Sequence, residues 1–142
     1  MNSADLLARL EQLQAELLRI LDRVQSAHGD AAGVRGELAR KLREYQTFKH
    51  GRIFDPAVAS GSPSLAAAGR TLKADCIAGI HRFEAYARKW DKQDPAADPS
   101  EFDAATAALV NDLRHHIAAE GVQIRLLLDR AAAGDPSRDP PA

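Results

Sequence analysis

The chain has 142 residues, 19 Lys and Arg against 20 Asp and Glu, a formal net charge of -1 and one cysteine. That length suits one domain with one core, and the charge balance lacks the basic footprint of a nucleic-acid binder or of a protein held at an anionic membrane. A lone Cys76 excludes an internal disulfide, and the opening MNSADLLARLEQLQ has no basic region followed by an apolar run, so a cytoplasmic protein without a signal peptide is expected.

Ala, Leu, Arg and Glu dominate, and no convincing period-2 strand is present. The first helix is expected from about Ala4 to Ala27, capped by Ser3 and ended by Gly29. Leu6, Leu10, Leu13, Leu17, Ile20 and Val24 form its inward stripe. The second helix follows Asp30 as cap and runs to about Arg52, with Val34, Leu38, Leu42, Tyr45 and Lys49 inward. It is expected to stop before Phe54-Asp55-Pro56, because proline disfavours helix at the residue before it. Ala59 to Pro63 reads as a loop, with Ser62 and Pro63 as cap and first-turn residue of a third helix reaching about Trp90. Its stripe is Leu65, Leu72, Cys76, Phe83, Tyr86 and Trp90.

A second loop, DKQDPAADPSE, ends in Asp98, Pro99 and Glu101, read as a cap, a first-turn proline and a capping-box acid. The fourth helix runs to about Ala133, with Val110, Leu113, Ile117, Glu120, Ile124 and Leu127 inward. Residues 134–142, GDPSRDPPA, read as a disordered Pro-rich tail. Short connections favour antiparallel neighbours, so the expected fold is all-α, an up-down-up-down antiparallel four-helix bundle over residues 1–133.

Two residues break the apolar stripes. Lys49 and Glu120 fall at inward positions near the middle of their helices, and charged residues are rarely buried unless paired. Tyr45 and Cys76 hold comparable inner positions, with His116 beside the fourth stripe. A central polar cluster of Tyr45, Lys49, Cys76, His116 and Glu120 is therefore expected. His116 and Glu120, in HHIAAE, lie one turn apart on one helical face, the spacing at which helices present paired metal ligands.

The stretches LREYQTFKHGRIFDPAV (Leu42 to Val58) and LRHHIAAEGVQIRLLL (Leu113 to Leu128) resemble the two ligand-bearing helices of hemerythrin-like domains, and the resemblance spans roughly Leu7 to Ala131. That family is a four-helix bundle around a non-haem di-iron centre that binds oxygen or senses redox state and iron. By this resemblance His116 and Glu120 match a ligand pair. Tyr45 and Lys49 stand where a histidine and a carboxylate would be, Asp75-Cys76 replaces an acid–histidine pair, and Gln14 falls near the histidine of the first helix. An iron pair needs several imidazoles and a bridging carboxylate, whereas Lys49 would bring an ammonium that repels a cation. The expectation is a metal-free bundle with a Lys49–Glu120 ion pair and no cofactor. Its function would be non-catalytic, regulatory or protein-interaction based, with a protein partner and an oligomeric state that the sequence does not specify. The alternative is a non-haem iron protein sensing oxygen or redox state through a reduced ligand set that includes His116 and Glu120.

Other candidates have blander readings. His81 and Glu84 are three apart but flank Phe83 at the surface, and His28 and His50 sit near helix ends as solvated residues. His50 would there favour the helix dipole when protonated. Cys76 on a buried stripe is a small core residue before it is a redox thiol, although Lys49 could supply an electropositive neighbour. Tyr86 and Trp90 are core anchors, and the charges of RGELARKLRE form a solvated face with i,i+4 support. A histidine phosphotransfer bundle would need His81 or His116 as acceptor, and the Lys-Gly context of such a site is missing. No P-loop, dinucleotide fingerprint, GxSxG elbow or Cys-x-x-Cys is present.

Overall fold

The computed structural model describes residues 2–26 and 32–134. Gly29 and Asp30 as helix stop and start, His28, and the tail from residue 135 onward lie outside the described residues. Within them the chain is all-helical: α1 (Ser3–Ser26), α2 (Ala32–Lys49), a π-helical turn (His50–Phe54), α3 (Asp55–Val58), α4 (Pro63–Lys92), a 3-10 turn (Pro95–Ala97) and α5 (Pro99–Ala133). Four of these helices are long.

The starts follow local capping chemistry, with two departures from expectation. Asn2 caps α1, accepting the Asp5 N–H at 2.9 Å, so the cap lies one residue before Ser3. Ser62 accepts from Leu65 N at 3.2 Å with Pro63 in the first turn, and Asp98 accepts from Glu101 N at 3.1 Å with Pro99 likewise. The Glu101 carboxylate does not close a capping box. It pairs with Lys89 at 2.5 Å, because a charged partner across the loop binds it more strongly than the cap amide.

The second helix does not stop before Pro56. Phe54 and Asp55 both keep right-handed helical dihedrals, and Asp55 N–H bonds to His50 O, five residues back. In an α-helix the Pro56 ring would collide with the carbonyl four residues earlier and leave that carbonyl without its donor. Widening one turn to π geometry relieves both problems and lets the chain stay helical to Val58. It also turns two consecutive residues inward, since Ile53 and Phe54 are both buried. The widened turn directly follows Lys49.

α1 packs closely on α2 and α5, and α4 on α5 and on the π turn and α3. α2 and α4 stand farther apart. The core draws Leu10, Leu13, Leu17, Leu21 and Val24 from α1, with Leu21 fully buried where Ile20 was expected and Ile20 only half-buried. α4 contributes Leu65, Leu72 and Cys76, while Phe83 and Tyr86 are half-buried. α5 buries Val110, Leu113, Ile117, Glu120, Ile124 and Leu127, the stripe expected for it. Each fully buried leucine contributes about 1.5–3 kcal/mol. Gly69 lets the π turn and α3 come close: a Cβ there would lie 3.0 Å from Phe54 O and 3.1 Å from Ala57 Cβ. Trp90 and Phe102 form a smaller edge-to-face pair at 4.9 Å, with Tyr86 hydrogen-bonded to Thr106 at 2.8 Å beside it.

The charges of α2 reach across to α1 rather than along their own helix. Glu44 takes Arg9 at 2.8 Å, Lys41 takes Glu16 at 2.8 Å, and Glu37 takes Arg23 at 2.7 Å. Within α2 only Lys41–Glu44, three apart, pairs among the described residues. None of the described helices is long and apolar enough to cross a membrane.

Candidate functional site

The helical stripes of α2 and α5 carry Tyr45, Lys49 and Glu120 toward the same level of the core, where α4 brings Cys76. Lys49 and Glu120 side chains are 1% and 2% exposed, and Lys49 Nζ lies 2.7 Å from Glu120 Oε1. The same oxygen accepts the Tyr45 hydroxyl at 2.8 Å. Lys49 also donates to Cys76 Sγ at 3.3 Å and stands 4.0 Å from the centroid of the Tyr45 ring. His116, half-buried one turn before Glu120, places Nε2 3.4 Å from Glu120 Oε2. That contact falls outside hydrogen-bond geometry, so Oε2 has no hydrogen-bond partner among the described residues.

All five residues singled out in the sequence therefore meet at one point. A sixth joins them. Gln14 of α1 donates through Nε2 to the Tyr45 hydroxyl at 3.1 Å, extending the chain of hydrogen bonds from α1 through α2 to α5. The family resemblance places Gln14 near the histidine position of the first helix but gives it no partner. Gln14 adjoins the buried Leu13, and Gly121, next to Glu120, leaves the space it fills: a Cβ at 121 would stand 3.1 Å from Gln14 Nε2. Asp75, His81 and Glu84 are exposed and take no part.

His50 is not the solvated helix-end residue anticipated above. The continuing helix leaves it half-buried at the start of the π turn, its ring 5.4 Å from that of Phe54 and its Nε2 buried without a hydrogen-bond partner among the described residues. Burial, then the neighbouring Lys49 ammonium, holds its pKa below the ordinary histidine value.

The electrostatics favour an ionised Glu120 beside a neutral Tyr45 and Cys76. Burial pushes the Glu120 carboxyl up, but His116 and Lys49 together outweigh it, and its pKa lies below the usual glutamate value. Burial, helped by the Glu120 charge, raises Tyr45. Burial raises the Cys76 thiol against the pull of Lys49. At neutral pH these shifts keep Tyr45 and Cys76 protonated and Glu120 ionised, with Lys49 Nζ 2.7 Å from its Oε1.

A di-iron centre does not fit these side chains. The point that Glu120, Cys76 and Tyr45 share is filled by an ammonium, which has three donors and no lone pair to give. Among the described residues no group of three or more His, Cys, Asp or Glu converges to hold an ion.

Fold and site together define an all-helical protein with a buried, charge-balanced polar cluster shared by its four long helices. Comparison with protein-family models, with curated proteins and with solved structures finds no match for the chain.

Proposed function

We infer that the chain is a non-catalytic, metal-free domain of the hemerythrin-like type. In this reading its four long helices run up-down-up-down as an antiparallel bundle, and it serves a regulatory or protein-interaction role in the cytoplasm. One observation carries the reading: the Lys49 ammonium, 2.7 Å from Glu120, occupies the middle of a polar cluster built from helical positions that resemble a ligand set. A lysine there does for Glu120 electrostatically what a bound cation would do.

The antiparallel arrangement is supported by the order of contacts along the helices. Arg9, Glu16 and Arg23 of α1 meet Glu44, Lys41 and Glu37 of α2 in descending order. Glu11 and Asp22 of α1 likewise meet Arg125 and Arg114 of α5, and Arg82 and Lys89 of α4 meet Asp112 and Glu101. An interaction role is supported by Val122 and Leu126, one turn apart on α5 and 56% and 53% exposed.

The test is metal content by mass spectrometry on protein purified without a metal-affinity tag from iron-supplemented cells. The expected result is a colourless, cooperatively folded protein without stoichiometric metal. Near-stoichiometric iron with a ligand-to-metal absorption band would overturn the reading in favour of an oxygen- or redox-sensing protein.

A further inference from the structure

We propose that the seam between α2 and α4 binds a short monocarboxylic acid, with the apolar tail inside the fold and the carboxylate at the mouth. α2 and α4 stand apart, and a cavity of about 130 Å³ lies between them. Leu42, Ile80, Phe83, Leu113 and Ile117 line it with apolar surface. Gly79 borders it, and a Cβ there would meet nothing nearer than Arg82 Nη2 at 3.6 Å, so a larger side chain at this position would extend into the free space.

Size limits the guest. A dry cavity of ~150 Å³ admits benzene, so this one takes a tail of about five carbon atoms. The floor is formed by Tyr45, Lys49 and Cys76, whose polar atoms are already engaged with one another and with Glu120. It therefore offers a ring face, methylenes and sulfur to a tail. A carboxylate taken to the floor would lose its water and face the Glu120 charge behind Lys49.

The mouth has the opposite character. Exposed Arg43 of α2 and Arg82 of α4 stand on its two sides, with Glu84 in the lining and Asp112 paired to Arg82. Arg82 gives Nε to Asp112 at 2.9 Å, which leaves its two terminal nitrogens for a planar acceptor, and Glu84 faces Arg88 at 4.0 Å. Two guanidiniums at a half-hydrated rim suit a carboxylate and reject an ammonium. Half-buried His116 borders the same cavity.

The experiment titrates the full chain with sodium hexanoate, 1-hexanol and hexylamine, followed by amide chemical shifts in ¹⁵N-labelled protein. Saturable hexanoate shifts are expected around Gly79, Ile80, Phe83 and Leu42. Near-millimolar affinity fits a ligand of about eight non-hydrogen atoms. Hexanol should bind about 3–10-fold more weakly through the tail alone, and hexylamine more weakly still. Gly79→Leu should fill the cavity and weaken hexanoate at least about tenfold. Arg43→Gln with Arg82→Gln should bring hexanoate down to the hexanol level and leave hexanol unchanged. Both arginines are exposed, so this pair carries the test even where Gly79→Leu fails to fold. Absence of saturable shifts at about 10 mM hexanoate, where a 1 mM site would be mostly filled, would overturn the proposal. So would equal binding of hexylamine, or hexanoate binding that the double arginine variant leaves unchanged.

Discussion

Replacing Lys49 by Met removes one charge of the central pair and keeps most of the side-chain volume. At 2.7 Å and an effective dielectric of about 20, the Lys49–Glu120 attraction is about 6 kcal/mol. The cost of stripping water from both ions is several kcal/mol each, so the intact pair contributes little net stability. Lys49→Met, however, leaves Glu120 buried with only the Tyr45 hydroxyl and His116 to answer its charge. It should cost about 3–5 kcal/mol, and Glu120→Leu, which orphans the ammonium, should cost about as much. For a chain of this size each kcal/mol lowers the melting temperature by about 2–4 °C. The double variant Lys49→Met/Glu120→Leu restores an uncharged centre and should lie within about 1–2 kcal/mol of the parent. Urea unfolding at pH 7 followed by circular dichroism measures all four corners of the cycle. The Glu120 pKa is depressed in the fold, so its share of stability is present above the unfolded value of 4.5 and is lost as pH falls below it. The Lys49→Met penalty should therefore shrink in acid, where Glu120 can protonate. Single variants within 1 kcal/mol of the parent, or a double variant as unstable as the sum of the two, would refute the coupled buried pair.

Three further outcomes are expected. Because the folded state holds His50 below its ordinary pKa of 6.5, the unfolded state takes up the proton first and stability should fall as pH drops through that value. His50→Phe should flatten this part of the pH–stability curve, and an unchanged slope would remove His50 as its source. Gly69→Ala and Gly79→Ala, both in α4, should have opposite signs in urea titrations. The first should destabilise by about 1–2 kcal/mol because its Cβ meets Phe54 O at 3.0 Å, and the second should stabilise by about 0.5–1 kcal/mol through helix propensity. Cys76, 3% exposed and with its thiol pushed up by burial, should react with iodoacetamide far more slowly in native protein than in urea; equal rates would place the thiol at the surface.

The stripes that define four long helices were legible in the sequence because a 3.6-residue period needs only local order. So were the Ser62 and Asp98 caps, whose partners lie three residues away. The inward positions of Lys49 and Glu120 followed from the same period, and burial then demanded a partner for each. Other features depended on contacts no local pattern contains. Pro56 reads as a helix stop until a π turn, stabilised by burying Ile53 and Phe54 together, carries the helix past it. That continuation also takes His50 out of solvent. The charges of α2 read as i,i+4 partners until α1 offers carboxylates and guanidiniums across the interface. Gln14 reaches the Tyr45 hydroxyl past Gly121, 107 positions later in the chain, where a Cβ would stand 3.1 Å from its Nε2. The sequence by itself determined which faces had to be buried, since periodicity and the cost of unpaired charge are local arguments. Beyond the Lys49–Glu120 pair, tertiary structure decided who meets whom, because the partner that satisfies a buried group is chosen by helix packing and not by distance along the chain.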